Sequence, residues 1–190
     1  MFLFDLDGTV IDSSHRTDRA HSTGKFCLST YLAHCNSPDL IAQDSLLPLA
    51  RYMQALVNTG KPFAVITARY MTDADHTFLI ENELVSHNTL ILGRDSVKGA
   101  IRALPDAVYK VHQLKRLESH FRSIKHFTLF DDRPDICEAF NALPNVTAVD
   151  AVALNKALGN RAELVQDRET IQAFQSFSSD LVMMPDLFTA

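Results

Sequence analysis

Two aspartates one residue apart, Asp5-Leu6-Asp7, follow directly on the apolar run Met1–Phe4 and run into Gly8-Thr9-Val10. In a strand, residues i and i+2 share a face, so both carboxylates are expected to emerge together at the strand's C-terminal end, where Gly8 permits a tight turn. A second acidic group, Asp131-Asp132-Arg133-Pro134-Asp135, follows the apolar residues up to Phe130. If the two strands are neighbours, the carboxylates converge, and each like-charged pair at about 4 Å costs about 4 kcal/mol at an effective dielectric of about 20. They cannot all stay ionised without a cation. An all-oxygen donor set suits a hard ion, and magnesium is the common choice where phosphate shares the site. Val65-Ile66-Thr67-Ala68-Arg69 ends another strand in a hydroxyl and turn N–H groups suited to phosphate oxygens. Asp106 and Lys110, four apart at the start of a helix, can pair and fix an ammonium where it would neutralise phosphate. Each feature alone has an ordinary structural reading, as a surface turn, a solvated helix entry or a solvated lysine. Their recurrence in this order, each at a strand end or helix start, points to one site.

The elements that must position these groups follow from the apolar pattern. Short runs at Met1–Phe4, Phe63–Thr67, Thr89–Leu92, Phe127–Phe130 and Val146–Val149 are almost continuously apolar, as strands covered on both faces require. Helical spacing marks Ser45–Thr59, with Asp44 as its expected cap and Gly60 as its stop, and then Thr72–Leu84, Ala107–Arg122 and Asp135–Leu143. Strands separated by single helices make βαβ units. The expected fold is α/β, a doubly wound, parallel, five-stranded Rossmann-like sheet with its ligand at the C-terminal strand ends. Residues 1–150 would form this core. Residues 12–43, with the short amphipathic piece Phe26–Cys35, read as a small lid and leave no room for a large cap domain. Residues 151–190 read as a C-terminal extension packing on the core, with one helix over Arg168–Phe177 and an apolar tail, Leu181–Phe188.

Composition narrows the class. The 190 residues are 46% hydrophobic and 22% charged, with mean hydropathy −0.03, enough for one core that buries about 70% of the unfolded chain's surface. A net charge of −5 argues against long-range capture of nucleic acid, though a short basic groove is compatible with it. The three cysteines, Cys27, Cys35 and Cys137, fit neither a disulfide framework nor a CxxC zinc pattern, so a reducing, cytoplasmic setting is expected. No apolar run approaches membrane length, and Asp5 and Asp7 stand where a signal peptide would be apolar.

With these residues in hand, the sequence resembles the haloacid-dehalogenase-like (HAD) phosphatases over roughly residues 1–150. Asp5-x-Asp7-Gly8-Thr9, Thr67, Lys110 and Asp131-Asp132 match that family's four motifs. More narrowly it resembles the phosphatase module of phage-type polynucleotide kinase-phosphatases. Arg16 stands eleven residues after Asp5, Arg69 closes the second motif, Asp106 precedes Lys110 by four, Arg133 follows the paired aspartates, and Arg94 follows the third strand. The resemblance implies that Asp5 is the nucleophile, forming an aspartyl-phosphate, and that Asp7 protonates the leaving oxygen and then activates water. It implies Mg2+ held by Asp5, the Asp7 carbonyl and Asp132, with Asp131 in the same shell. Thr67 and Ala68 would hold the phosphoryl group with Lys110, Asp106 would orient Lys110, and Arg16, Arg69 and Arg94 would reach phosphate or substrate. No GxxxxGK[ST] loop occurs; Gly60-Lys61-Pro62 and Gly24-Lys25-Phe26 lack the rest of it, so no kinase half is expected.

Other reactive side chains are set aside. His76, His87, His112, His120 and His126 lie in polar surroundings without ligand spacing, while His15 adjoins Arg16. Ser13, Ser14 and Cys137 lack an acid–base partner. Phe2, Phe26 and Tyr31 could stack a base, although core packing is the simpler reading. The expected activity is a magnesium-dependent phosphomonoesterase acting on a polynucleotide 3′-phosphate end or a mononucleotide. A small-metabolite phosphatase and a catalytically silent binding module are the alternatives.

Overall fold

The computed structural model describes residues 1–18, 20, 27–159, 168, 171–172 and 174–176. Strand β1 (Phe2–Phe4) leads through a tight turn to β2 (Ile11–Asp12) and α1 (Ser14–Asp18). Helices α2 (Leu28–Cys35) and α3 (Pro38–Ile41) precede β3 (Ser45–Leu46) and α4 (Ala50–Asn58). Then come β4 (Phe63–Ile66), α5 (Asp73–Glu81), β5 (Leu90–Leu92), two 3₁₀ turns, α6 (Asp106–His120), β6 (Phe127–Asp131), α7 (Pro134–Asn141), β7 (Val146–Asp150) and α8 (Ala151–Gly159).

Five strands form one parallel sheet in the order β5-β4-β1-β6-β7, so β1 and β6, which carry the two acidic groups, are neighbours. Alternation along β1 splits the core in two. Phe4 faces Tyr52, Met53, Phe78, Leu79 and Leu154 of α4, α5 and α8, whereas Leu3 faces Leu114, Leu117, Ile136 and Phe140 of α6 and α7. Phe4 and Phe130 stack at 5.0 Å and Tyr52 lies against Phe174 at 3.5 Å, so aromatic packing closes the first face. The fold is thus the α/β, parallel, helix-covered sheet expected, and each of the five strands lies within a residue or two of its apolar run.

Two local expectations fail. The segment Ser45–Thr59 is not one helix: Ser45–Leu46 is a strand antiparallel to Ile11–Asp12, and the helix starts at Ala50. Leu47 precedes Pro48, which disfavours helical backbone there, and the Leu47 N–H donates to the Val10 carbonyl at 3.0 Å instead. Asp44 therefore caps nothing and is buried beside Arg16. Helix α8 was not anticipated, yet Asp150 caps it by accepting from Val152 N at 2.8 Å and Ala153 N at 3.1 Å. Its Asn155 links two segments, donating to the Thr9 carbonyl and accepting from Leu49 N, both at 2.8 Å. Of the expected helix Arg168–Phe177, the described residues are helical, with Ile171 and Phe174 in the core. Phe26 and the tail Leu181–Phe188 lie outside the described residues. Among the described residues no helix is long and apolar enough to cross a membrane. The three cysteines are free.

Candidate active site

The C-terminal ends of β1, β4 and β6 open into a cavity of about 540 Å³. Asp5, Asp7, Thr67, Ala68, Arg69, Lys110 and Asp132 line it from the sheet side, and Thr17, Tyr31, Cys35 and Asn36 from the lid segment.

The first motif is set by the end of β1. Asp5 N donates to the Phe130 carbonyl at 2.9 Å, tying β1 to β6 beyond the last paired residue. The chain then turns sharply, with the Leu6 carbonyl accepting from Thr9, Val10 and Ile11 N–H groups. Gly8 has φ +70°, and a Cβ there would meet Asp132 Oδ2 at 2.6 Å, so both backbone and space demand glycine.

Around Asp5 the charges are unbalanced. Lys110 Nζ lies 2.9 Å from Asp5 Oδ1 and 2.6 Å from Asp131 Oδ2. The other Asp131 oxygen accepts from Arg133 N at 3.1 Å. Asp5, Asp131 and Asp132 offer carboxylate oxygens within 4.8 Å of one another, a group that fits a metal ion. Burial pushes Asp5 up to about 7, with Lys110 opposing and Asp131 and Asp7 adding to the rise. Asp132 is pushed up to about 6 by burial and then by Asp5. Burial lowers Lys110, but Asp5 and Asp131 reverse this and raise it above its ordinary value. Three carboxylates here share one ammonium, the shortage of positive charge that a divalent cation relieves.

Asp7 turns away from that group. Its oxygens accept from Ser13 Oγ, from Arg69 Nη2, and from Arg69 Nε at 3.1 Å. Burial alone would raise its carboxyl, but the Arg69 guanidinium, helped by Ser13 and Arg16, holds it below the ordinary value. Thr67, buried at the end of β4, accepts from Arg69 N at 3.2 Å and so shapes the turn that points Arg69 inward.

These residues are those of a known group, since residues 1–184 match the model of the bacteriophage T5 5′-deoxynucleotidase family. The chain belongs to that family. It is 30% identical over 178 residues to the 5′-deoxynucleotidase of Escherichia phage T5, spanning 87% of this chain and 72% of that protein. Its fold is similar to that of a hydrolase from Streptococcus pneumoniae TIGR4, with a TM-score of 0.52 and 16% identity over 83% of this chain and 97% of the other. A HAD-superfamily hydrolase of subfamily IA from Geobacter sulfurreducens PCA also matches, with a TM-score of 0.48 and 14% identity over 83% of this chain and 95% of the other. This family membership and this fold agree with the resemblance that the four motifs carry.

Not every residue read from the motifs reaches the cavity as expected for this family member. Arg16 is only 1% exposed and is not among the cavity-lining residues. It donates to the Cys35 carbonyl at 2.6 Å and Asp44 Oδ2 at 2.5 Å, and its Nη2 stands 3.7 Å from Asp7 Oδ1. Arg94 lines the cavity but gives its donors to the carbonyls of Ala68, Arg102 and Leu104 and to Asp106. Asp106 pairs with Arg94 and Arg133 rather than with Lys110, because Lys110 has two buried carboxylates in reach and Asp106 is the more exposed partner. His15 turns to the Leu40 carbonyl at 2.9 Å. Cys137 hydrogen-bonds backbone carbonyls, and Phe2 packs against the core, so neither serves the site. Sequence reasoning missed Asp75, Tyr70 and Asn36. Tyr70 could have been found from its place next to Arg69 in the second motif, and Asp75 from the Thr72-x-x-Asp75 capping-box spacing at the start of α5; Asn36 carries no spacing signal.

Proposed function

We propose that the protein is a magnesium-dependent phosphatase of nucleoside 5′-monophosphates, deoxynucleotides foremost, working through an acyl phosphate on Asp5. One observation carries this reading: a buried carboxylate, Asp5, is held by Lys110 at the inner wall of a cavity that the second aspartate, Asp7, also lines. Asp5 Oδ attacks phosphorus, the Asp5–phosphorus bond forms, the bond from phosphorus to the ester oxygen breaks, and that oxygen takes its proton from Asp7, which for this step must carry a proton against the pull of Arg69. A water then attacks phosphorus, yielding its proton to Asp7; the Asp5–phosphorus bond breaks and free phosphate leaves. Thr67, Ala68 N–H and Lys110 would hold the phosphoryl oxygens through both steps, which is where most of the rate enhancement arises. Asp5, Asp131, Asp132 and the Asp7 main-chain carbonyl would hold Mg2+, which supplies charge neutralisation to the phosphoryl group.

The size and lining of the cavity support a free nucleotide over a polymer end. A volume of about 540 Å³ suits a small molecule. Tyr31 from α2 and Tyr70 from the loop after β4 line it, and a ring of either kind is a surface on which a base can stack. The relative named 5′-deoxynucleotidase supports the same choice. The test is phosphate release, with Mg2+ and then with chelator, from deoxynucleoside and ribonucleoside 5′- and 3′-monophosphates, 3′-phosphorylated oligonucleotides and sugar phosphates. Preference for deoxynucleoside 5′-monophosphates, abolished by chelator, is the expected result; preference for 3′-phosphorylated oligonucleotides overturns the substrate assignment, and chelator-insensitive release overturns the metal.

A further inference from the structure

Behind the cavity lies a carboxylate that none of the four motifs singles out. Asp75, in the first turn of α5, is only 1% exposed. One of its oxygens accepts from Arg69 Nη1. The other accepts from Thr72 N at 2.9 Å and Thr72 Oγ1 at 2.7 Å, while Asp75 N donates back to Thr72 Oγ1 at 3.3 Å. This capping box ties the carboxylate to the N-terminus of α5, whose Phe78 and Leu79 sit in the core. Arg69 therefore has two carboxylate partners on different edges, Asp75 at Nη1 and Asp7 at Nε and Nη2.

A guanidinium is planar with its donors in a fixed fork, so holding one nitrogen sets the direction of the other two. The anchored member of the set is Asp75, because its second oxygen is held twice by Thr72 in the capping box of a helix packed on the core. Asp7 lies on the cavity wall, with its side chain 40% exposed. We propose that Asp75 is a positioning residue for the reaction: through Arg69 it fixes the Asp7 carboxyl in the place from which the leaving oxygen is protonated. Arg16, with Nη1 3.9 Å from the same Asp75 oxygen, supplies the second positive charge of the cluster. The inference rests on the phosphatase reading above.

Two substrates separate this role from a structural one. An alkyl leaving group such as a deoxynucleoside needs the proton, whereas para-nitrophenolate leaves without it, and kcat/KM reports the steps up to that departure. Asp75→Asn keeps an oxygen for Thr72 but turns an amide donor toward Arg69. It is expected to lower kcat/KM for a deoxynucleoside 5′-monophosphate at least about 10-fold more than for para-nitrophenyl phosphate. In an Arg69→Ala background the same substitution should leave the ratio of the two unchanged, since Asp75 acts only through that guanidinium. Asp75→Glu keeps the buried charge and shifts it by one methylene; it should lower the ratio by about 3-fold, and it serves if Asp75→Asn gives no cooperative thermal transition. Equal losses on both substrates, a loss on the deoxynucleotide that is a rise in KM alone, or an undiminished effect without Arg69 overturn the inference and leave the phosphatase reading standing. Wild-type enzyme inert toward both substrates overturns the two together.

Discussion

The two aspartates of the first motif stand two residues apart in differently balanced surroundings. Around Asp5, the carboxylates of Asp5, Asp131 and Asp132 share the ammonium of Lys110. Around Asp7, the carboxylates of Asp7, Asp75 and Asp44 share the guanidiniums of Arg69 and Arg16. The first group is short of positive charge and open to a cation and a phosphoryl group; the second is nearly neutralised from within and rigidly hydrogen-bonded. The difference shows in the side chains themselves, since Asp5 is raised to about 7 by burial whereas Asp7 is held low by Arg69. Identical residue types thus acquire different surroundings from the count and kind of their counter-ions, Asp5 standing where a cation would restore the balance and Asp7 locked in place by guanidiniums.

Substitutions on the two sides should break this contrast in different ways. Asp5→Asn should reduce phosphate release by at least about 1,000-fold with an unchanged thermal transition, because it removes the nucleophile at constant volume. Arg16→Ala acts on the other side and chiefly on the fold. It removes the guanidinium that faces buried Asp44 and one donor to the Cys35 carbonyl, so denaturant unfolding should show a loss of about 3 kcal/mol. A stability loss below about 1 kcal/mol would show that Arg16 does not anchor the lid segment. Lys110→Met should lower kcat/KM by about 100-fold and, unlike Arg16→Ala, lose its effect on stability as Mg2+ is added, since a cation can relieve the carboxylates left behind. Smallest, Tyr70→Ala should raise KM about 5-fold for a deoxynucleotide while sparing para-nitrophenyl phosphate; Tyr70→Phe should leave both unchanged.

Much of the Asp5 side was legible in the sequence because strands announce it. Asp5 and Asp131 each follow an almost continuously apolar run, and the parallel order places those runs side by side. Lys110 was found by its place in a helix, but its partner was misjudged: spacing sees Asp106 four residues away and cannot see Asp131 across the sheet. The Asp7 side was less legible for a related reason. Arg16 and Arg69 stand out by their places in the motifs, yet spacing does not tie them to their carboxylate partners, Asp44 just before β3 and Asp75 in the first turn of α5, and only packing brings these in. Helix α8 is signalled by Asp150 and by the apolar spacing of Ala151, Leu154 and Leu158, but over nine residues that pattern is short and follows β7 without a loop, so it is faint in the sequence.

The central claim is that Asp5 becomes phosphorylated. Its most direct test is a rapid acid quench of the enzyme with a deoxynucleoside 5′-monophosphate carrying a labelled phosphate, followed by peptide mapping. Label on the peptide that bears Asp5, absent from Asp5→Asn, is the predicted result; turnover that proceeds with label on another residue, or with no labelled enzyme at any quench time, would contradict it.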